Sequence, residues 1–417
     1  MKRLFSLMIA LVPALWAGAQ TMYVYQDRVI TTVQATQAGD MTYSDNTLTI
    51  EGESFPLSEV DSIVFDNKTL QADSVIVSYN GTDAQVYVPV EVRKYLTVTV
   101  DGAHVTIVSS QTETDGDNEI KYALTGTATD GSFCQDGSYK CTLYLNGVNL
   151  TSSQGAAINL KNGKRIDVYV PDGTTNTLAD CANGTQSACF RIKGHAEFRG
   201  GGTLNIAGNT NHAYKSNEYT ILKKTFTGLI NVTSAVSDGM HVSQYFEMNG
   251  GNVVIKGAKG DGIQADITND LTDENNGQMF LNGGSVNITL TGDNAGGIKV
   301  DDQLTVTGGT FVINMSGNNS DGVTCNTARI TADSSAPTFT ITHSGGTLVV
   351  GADKKRSSCF KTTDNMYFLA GTITANVTAA SSEKTKGIKV GNNYYYTSTA
   401  KTNVTPDVSG SMIYYVE

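Results

Sequence analysis

Tryptophan is nearly absent from this 417-residue chain. Its one copy is Trp16, so any flat stacking face must come from tyrosine or phenylalanine. Proline is scarce, at 6 residues, and sustained runs of Ala, Leu, Glu and Lys are missing, which leaves little that reads as helix. Basic charge is in deficit. The formal net charge is -11, which excludes nucleic acid as a partner, because phosphates require a basic surface. Beyond the first nineteen residues no apolar run approaches the roughly 20 residues that span a bilayer. The five histidines, His104, His195, His212, His241 and His343, lie in different strands and turns and show no metal-motif spacing.

What is present begins with a secretory pattern. Lys2 and Arg3 precede an apolar run at residues 4–16 and the small-residue site Ala17-Gly18-Ala19, as in a signal peptide over residues 1–19. The mature chain then starts at Gln20 and, without Lys2 and Arg3, carries a net charge of -13. No cysteine lies near the cut, which argues against a lipid anchor. The expected location is the periplasm, the cell surface or the medium. Glycine is abundant, at 43, and Thr, Val, Ile, Tyr and Asn dominate, a composition for strands and tight turns.

Residues 20–68 read as a small β unit of their own, with short alternating runs at 23–29, 47–50 and 63–65. Its end, Glu59-Val60-Asp61-Ser62-Ile63-Val64-Phe65, resembles an N-terminal segment common in exported Bacteroidetes proteins. The sequence assigns this unit no chemistry.

Residues 69–417 read as the second domain, and from about residue 140 an internal repeat appears that decides its fold. Asp238-Gly239-Met240-His241-Val242 recurs as Asp261-Gly262-Ile263-Gln264-Ala265, Gly296-Gly297-Ile298-Lys299-Val300, Asp321-Gly322-Val323-Thr324-Cys325 and Lys386-Gly387-Ile388-Lys389-Val390. The first four copies are spaced by 23, 35 and 25 residues. Each copy has a second half, such as Phe246-Glu247-Met248-Asn249-Gly250-Gly251, Phe280-Leu281-Asn282-Gly283-Gly284 and Leu304-Thr305-Val306-Thr307-Gly308-Gly309. Units of two or three short strands broken by glycine turns stack into a solenoid. The expected fold is all-β: a right-handed parallel β-helix of about nine coils with a C-terminal cap, preceded by the small N-terminal unit. Met240, Ile263, Ile298, Val323 and Ile388 should form one inward column. The paired glycines and Asn249 and Asn282 read as turn residues. Cys189 and Cys359 align with the slot of Ile263 and Ile298, and Cys325 with that of Ala265 and Val300, so all three should be core residues. Cys134, Cys141 and Cys181 stay undecided.

Residues 142–210 sharpen this picture. Thr142-Leu143-Tyr144-Leu145-Asn146-Gly147-Val148-Asn149-Leu150 leads to Gly155-Ala156-Ala157-Ile158, then to Ile166-Asp167-Val168-Tyr169-Val170-Pro171-Asp172-Gly173, then to Gly200-Gly201-Gly202-Thr203-Leu204-Asn205-Ile206. This order, followed by the Asp-Gly repeats, resembles a family of bacterial carbohydrate-binding β-helix proteins over about residues 75–395. The resemblance implies a pectate-lyase-like fold, structural calcium and recognition of acidic plant polysaccharide without catalysis. It supplies calcium ligands only as acids at matching turns, and it supplies no sugar site.

Two catalytic patterns bear comparison. Polygalacturonases use paired aspartates, a Gly-His-Gly and an Arg-Ile-Lys in that order. Here Arg191-Ile192-Lys193 comes first, Gly194-His195-Ala196 follows, and Asp301-Asp302 comes last. Chain order fixes position along a solenoid, so the scrambled order does not rebuild one site. Pectate lyases pair calcium with a basic residue. Lys299, Lys386 and Lys389 lie in or near the repeat, but nothing local lowers a lysine pKa toward neutrality. The aromatic run Tyr394-Tyr395-Tyr396 would put Tyr394 and Tyr396 on one face, either against sugar or as the cap.

The acids of the repeat form columns. The position before the phasing glycines holds Asp238, Asp261 and Asp321, and a later corner holds Asp266 and Asp301. Coils about 4.8 Å apart would stack Asp238 on Asp261 and Asp266 on Asp301, and like charges so placed call for a proton or a cation. With Asp293 and Asp302 completing the shell, calcium is the expected cofactor. The expected function is non-catalytic binding of an acidic, polygalacturonate-like polysaccharide. The alternatives are a calcium-dependent polysaccharide lyase and a structural or adhesive surface protein.

Overall fold

The computed structural model describes residues 21–34, 41–66, 73–115, 118–270, 272–345, 349–350, 353–354, 357–378, 386–405 and 412–416. Residues 1–19, expected from the sequence to be a signal peptide, lie outside them. The chain divides into two compact units. One takes the residues before Ser74 together with Tyr87–Lys94, and the other takes Ser74–Val86 and everything from Tyr95 onward.

In the first unit Thr21–Gln26 pairs antiparallel with Val29–Gln34 and with Ser62–Asp66. Asp27, at φ 53°, turns the chain between the first two. Met22, Val24, Val33, Ile50, Phe55 and Val90 form its core. Arg93 lies over the Phe55 ring at 4.9 Å and donates to Gln26 at 2.9 Å and to Thr31 at 3.1 Å, a cation–π contact and two hydrogen bonds within this unit.

The second unit is built from long parallel ladders. One 12-stranded sheet begins with Leu96–Asp101 antiparallel to Ala103–Ser109 and continues in parallel to Lys386–Val390. A further parallel ladder runs from Ser74–Gly81 through Ile120–Ala128 to Cys141–Thr151 and divides there, the first half of that strand carrying Ile166–Tyr169 and the second half Thr175–Ala179. From there each rung holds three strands, as in Met240–Ser243, Tyr245–Met248 and Asn252–Lys256. Nine such rungs occur among the described residues.

The register follows the repeat. Met240 pairs with Ile263, Ile263 with Ile298, Ile298 with Val323, and Val323 with Phe360, which pairs with Ile388. All six side chains are fully buried, so the inward column stands as expected. Strand alternation puts every second side chain inside, and each such apolar side chain contributes about 1.5–3 kcal/mol of transfer free energy. The phasing glycine is required by space. A Cβ on Gly297 would stand 2.5 Å from the Gly322 carbonyl oxygen and 2.6 Å from Ile313 Cγ2.

Two cysteines sit one residue from their expected slot. Phe190 and Phe360, not Cys189 and Cys359, occupy the column of Ile263 and Ile298. Cys189 and Cys359 take the position of the phasing glycine and are buried there at 0% exposure. At that bend the Cβ points toward the core, so the one-residue slip does not turn these side chains to solvent. Cys325 lies in the expected slot and is buried. All six cysteines are free thiols, and burial pushes the Cys141 and Cys359 thiols up to about 12. Asn249 and Asn282 bond to each other across rungs at 3.0 Å, as turn residues that tie neighbouring coils.

Tyr394 is a core residue at 4% exposure, so of the two readings the one in which Tyr394 and Tyr396 together face sugar does not hold. The outward ring is Tyr395. It stacks between Tyr367 at 4.7 Å and Tyr414 at 5.1 Å, and its faces are covered.

Candidate functional site

The outer surface of the 12-stranded sheet carries the chemistry. Its residue two places after the phasing position points outward, and successive rungs align Arg191, Lys215, His241, Gln264, Lys299, Thr324, Lys361 and Lys389. Two of these, Lys215 and Lys361, escaped the sequence reading, and Arg191 was met there only as part of the hydrolase-like pattern. The repeat was phased from Gly239 onward, and on earlier rungs Ala213 and Cys189 replace the glycine that marks the phase.

Beside this column runs the row of acids before the glycine. The structure sets Asp238 on Asp261, and each acid caps the rung that follows. Asp238 Oδ1 accepts the Asp261 amide at 2.8 Å, and Asp261 Oδ1 accepts the Gly296 amide at 2.6 Å. Opposite charge comes from the chain itself. Lys299 Nζ lies 2.9 Å from Asp261 Oδ2, and Lys361 Nζ lies 2.9 Å from Asp321 Oδ2. Burial pushes the Asp261 and Asp321 carboxyls above their usual values, and the lysines oppose it only in part. Burial disfavours the charge on Lys299, but Asp261 outweighs it and holds the pKa above the lysine value. That direction is opposite to what a general base requires.

Asp238 has a nitrogen-rich environment. His241 Nδ1 lies 2.8 Å and His212 Nδ1 3.1 Å from Asp238 Oδ2, and His241 Nε2 lies 2.8 Å from Asp266 Oδ2. Burial works against the Asp238 charge, yet the hydrogen bonds from His212 and His241 hold its carboxyl well below the usual range. Although the two histidines lie far apart in sequence, the rung register brings their rings to 4.3 Å.

The fit to calcium differs among the acids expected to bind it. Calcium takes six to eight oxygens. Asp261 and Asp321 are engaged by lysine, and Asp238 and Asp266 by histidine. Among the described residues no cationic side chain pairs with Asp293, Asp301 or Asp302. Asp293 Oδ1 accepts the Asn318 amide at 2.7 Å, and Asp301 Oδ2 accepts the Ile267 amide at 3.1 Å. These three are oxygen donors of the kind calcium uses.

The hydrolase pattern stays dispersed. Asp301 follows the rung of Lys299, four rungs beyond Arg191, or roughly 19 Å along the stack at strand spacing. His195 pairs with Glu218 and stacks on Tyr219 at 4.4 Å. Lys215 has a pKa below the ordinary lysine value. Burial lowers it, Arg191 adds to that, and Asp266 and Asp238 oppose it.

At the Arg191 end of the column lies a recess of about 450 Å³, lined by Gln154, Gly155, Ala156, Asn159, Thr185, Gln186, Ser187 and Arg191. Gln186 is positioned from below by Asp180, whose Oδ2 accepts its amide at 2.7 Å. Arg191 Nη1 reaches Asn159 Oδ1 at 3.5 Å. No carboxylate pairs with Arg191 among the described residues. Amide and guanidinium donors in one concave patch suit hydroxyl and carboxylate ligands.

The family description "Carbohydrate-binding domain-containing protein" matches residues 101–395. A protein of the same description from Acetivibrio thermocellus is 27% identical over 101 residues, which is 22% of this chain and 35% of that protein. The match thus spans about a third of that relative's length. A solved structure described as the polysaccharide lyase-like protein from C. thermocellum, gadolinium derivative, aligns with TM-score 0.42 and 19% identity over 64% of this chain and 97% of its own. No helix among the described residues is long and apolar enough to cross a membrane. With the match covering most of its length, the chain belongs to the family of carbohydrate-binding domain-containing proteins.

Proposed function

We propose that this chain binds an acidic polysaccharide of the polygalacturonate type without cleaving it, on a right-handed parallel β-helix outside the cytoplasm. The observation that carries the reading is the Arg191 recess. A guanidinium with no carboxylate partner among the described residues, flanked by Asn159, Gln154 and Gln186, matches a uronate carboxylate with neighbouring hydroxyls. It also lets an acidic protein meet an acidic chain. Calcium is part of the proposal at Asp293, Asp301 and Asp302, where it would stabilise the coil corners and offer a position to a uronate. The test is affinity electrophoresis in polygalacturonate. Arg191→Ala should lose at least tenfold in affinity with its circular dichroism unchanged. Retardation equal to that of the parent would remove the recess as the site.

A second reading, a calcium-dependent lyase, is favoured by one observation, the lowered pKa of Lys215 beside Arg191. Appearance of unsaturated uronide ends, abolished in Lys215→Ala, would establish it.

A further inference from the structure

We infer that His212, Asp238 and His241 form a binding site for a divalent transition cation of the zinc type, distinct from calcium. The three ligand atoms, one from each residue, lie within 4.8 Å of one another. Asp238 Oδ2 is the centre, with His241 Nδ1 at 2.8 Å and His212 Nδ1 at 3.1 Å. Ligands of a tetrahedral zinc with bonds near 2.0–2.1 Å stand about 3.3 Å apart, so the two contacts to Asp238, at 2.8 and 3.1 Å, lie within tenths of an ångström of that spacing.

The hydrogen bonds around the set point to the same ligand. His241 Nε2 faces Asp266 Oδ2 at 2.8 Å, and donation there leaves a lone pair on Nδ1. The Asp238 amide donates to His212 Nδ1 at 3.3 Å, which marks that nitrogen as an acceptor as well. That hydrogen bond occupies the one in-plane lone pair of His212 Nδ1, so a metal that draws a nitrogen from each ring and the Asp238 oxygen to a common centre would displace it. The Asp266 contact is the carboxylate–histidine–metal arrangement that fixes a ligand's tautomer. Asp238 and Asp266 supply two negative charges for one dication. Two nitrogens and one oxygen suit zinc-like ions, whereas calcium takes oxygens alone. All four side chains are largely buried; His241 stands on the outward column, and His212 and Asp238 lie in the adjacent row before the phasing position. The alternative that the geometry must be tested against is a proton: an imidazolium of His241 bridging Asp238 and Asp266.

The test is calorimetric titration of the chelator-stripped full chain with zinc chloride and, separately, calcium chloride. Cobalt(II) absorption reports the ligand geometry. The expected result is one equivalent of zinc, not displaced by equal calcium, with affinity at least tenfold weaker in His212→Gln and in His241→Gln. Asp266→Asn should weaken binding by about 10–100-fold; it removes no ligand and so serves if the histidine variants fail to fold. Absence of zinc uptake, displacement by equal calcium, or zinc affinity unchanged in Asp266→Asn and in the folded histidine variants would overturn the site in favour of the bridging proton.

Discussion

Lys299 places its ammonium 2.9 Å from the Asp261 carboxylate of the preceding rung. This pair shows how a solenoid with aligned acids avoids like-charge repulsion without an outside cation at that point. Asp261 is nearly buried and Lys299 is partly exposed, at 9% and 39% for the side chains. Lys299→Met leaves the acid uncompensated, and solvent screening keeps the cost below that of a fully buried pair, at about 1–2 kcal/mol. Urea unfolding should show this loss, and adding Asp261→Asn should recover most of it. Additive losses in the double variant would deny the coupling.

The inward column makes a second prediction. Ile298→Ala should cost about 2–5 kcal/mol, read from the urea midpoint. Ile298→Asp should not fold. A folded aspartate variant would contradict the register.

His343 is fully buried, and its Nε2 lies 2.8 Å from the Ser320 carbonyl oxygen. Burial holds its pKa below the histidine value, although the Ser320 and Asp321 contacts raise it in part. The unfolded chain takes up a proton near pH 6.5, whereas the folded chain does so only at lower pH. Between these values the unfolded state binds more protons, so stability falls as pH falls. The contribution is complete above about pH 6.5 and fades below it. His241 and Asp261, whose pKa values are raised, act with the opposite sign, so the test is a difference: in thermal melts from pH 7.5 to 5 the parent should lose stability relative to His343→Gln. An identical slope in the variant would remove His343 as the cause.

Incubation with polygalacturonate and calcium should produce no growth of unsaturated-uronide absorbance in the parent chain. A steady rise that Lys215→Ala abolishes would move the assignment to the lyase.

Much of the fold was legible because glycine marks the phase. Gly239, Gly262, Gly297 and Gly322 sit where a side chain would strike the next rung, so the column Met240–Ile263–Ile298–Val323 could be read directly. Where Cys189, Ala213 or Cys359 replaces that glycine, the phase was hidden. The Phe190 and Phe360 slots and the outward positions of Arg191, Lys215 and Lys361 were therefore missed. The acid columns were legible as positions but not as chemistry. Lys299, Lys361, His212 and His241 reach Asp261, Asp321 and Asp238 from other residues of the stack, which spacing alone does not express. The Arg191 recess depends on the loops around Gln154 and Gln186, where no repeat constrains the chain.

The most direct test of polysaccharide binding without cleavage is a glycan array read with and without calcium, with eluted glycans sized afterwards. The account predicts retention of polygalacturonate and related uronate polymers at full length, above neutral glycans, and weaker retention without calcium. Retention of neutral glycans alone, absence of any retention, or recovery of shortened chains with unsaturated ends would contradict it.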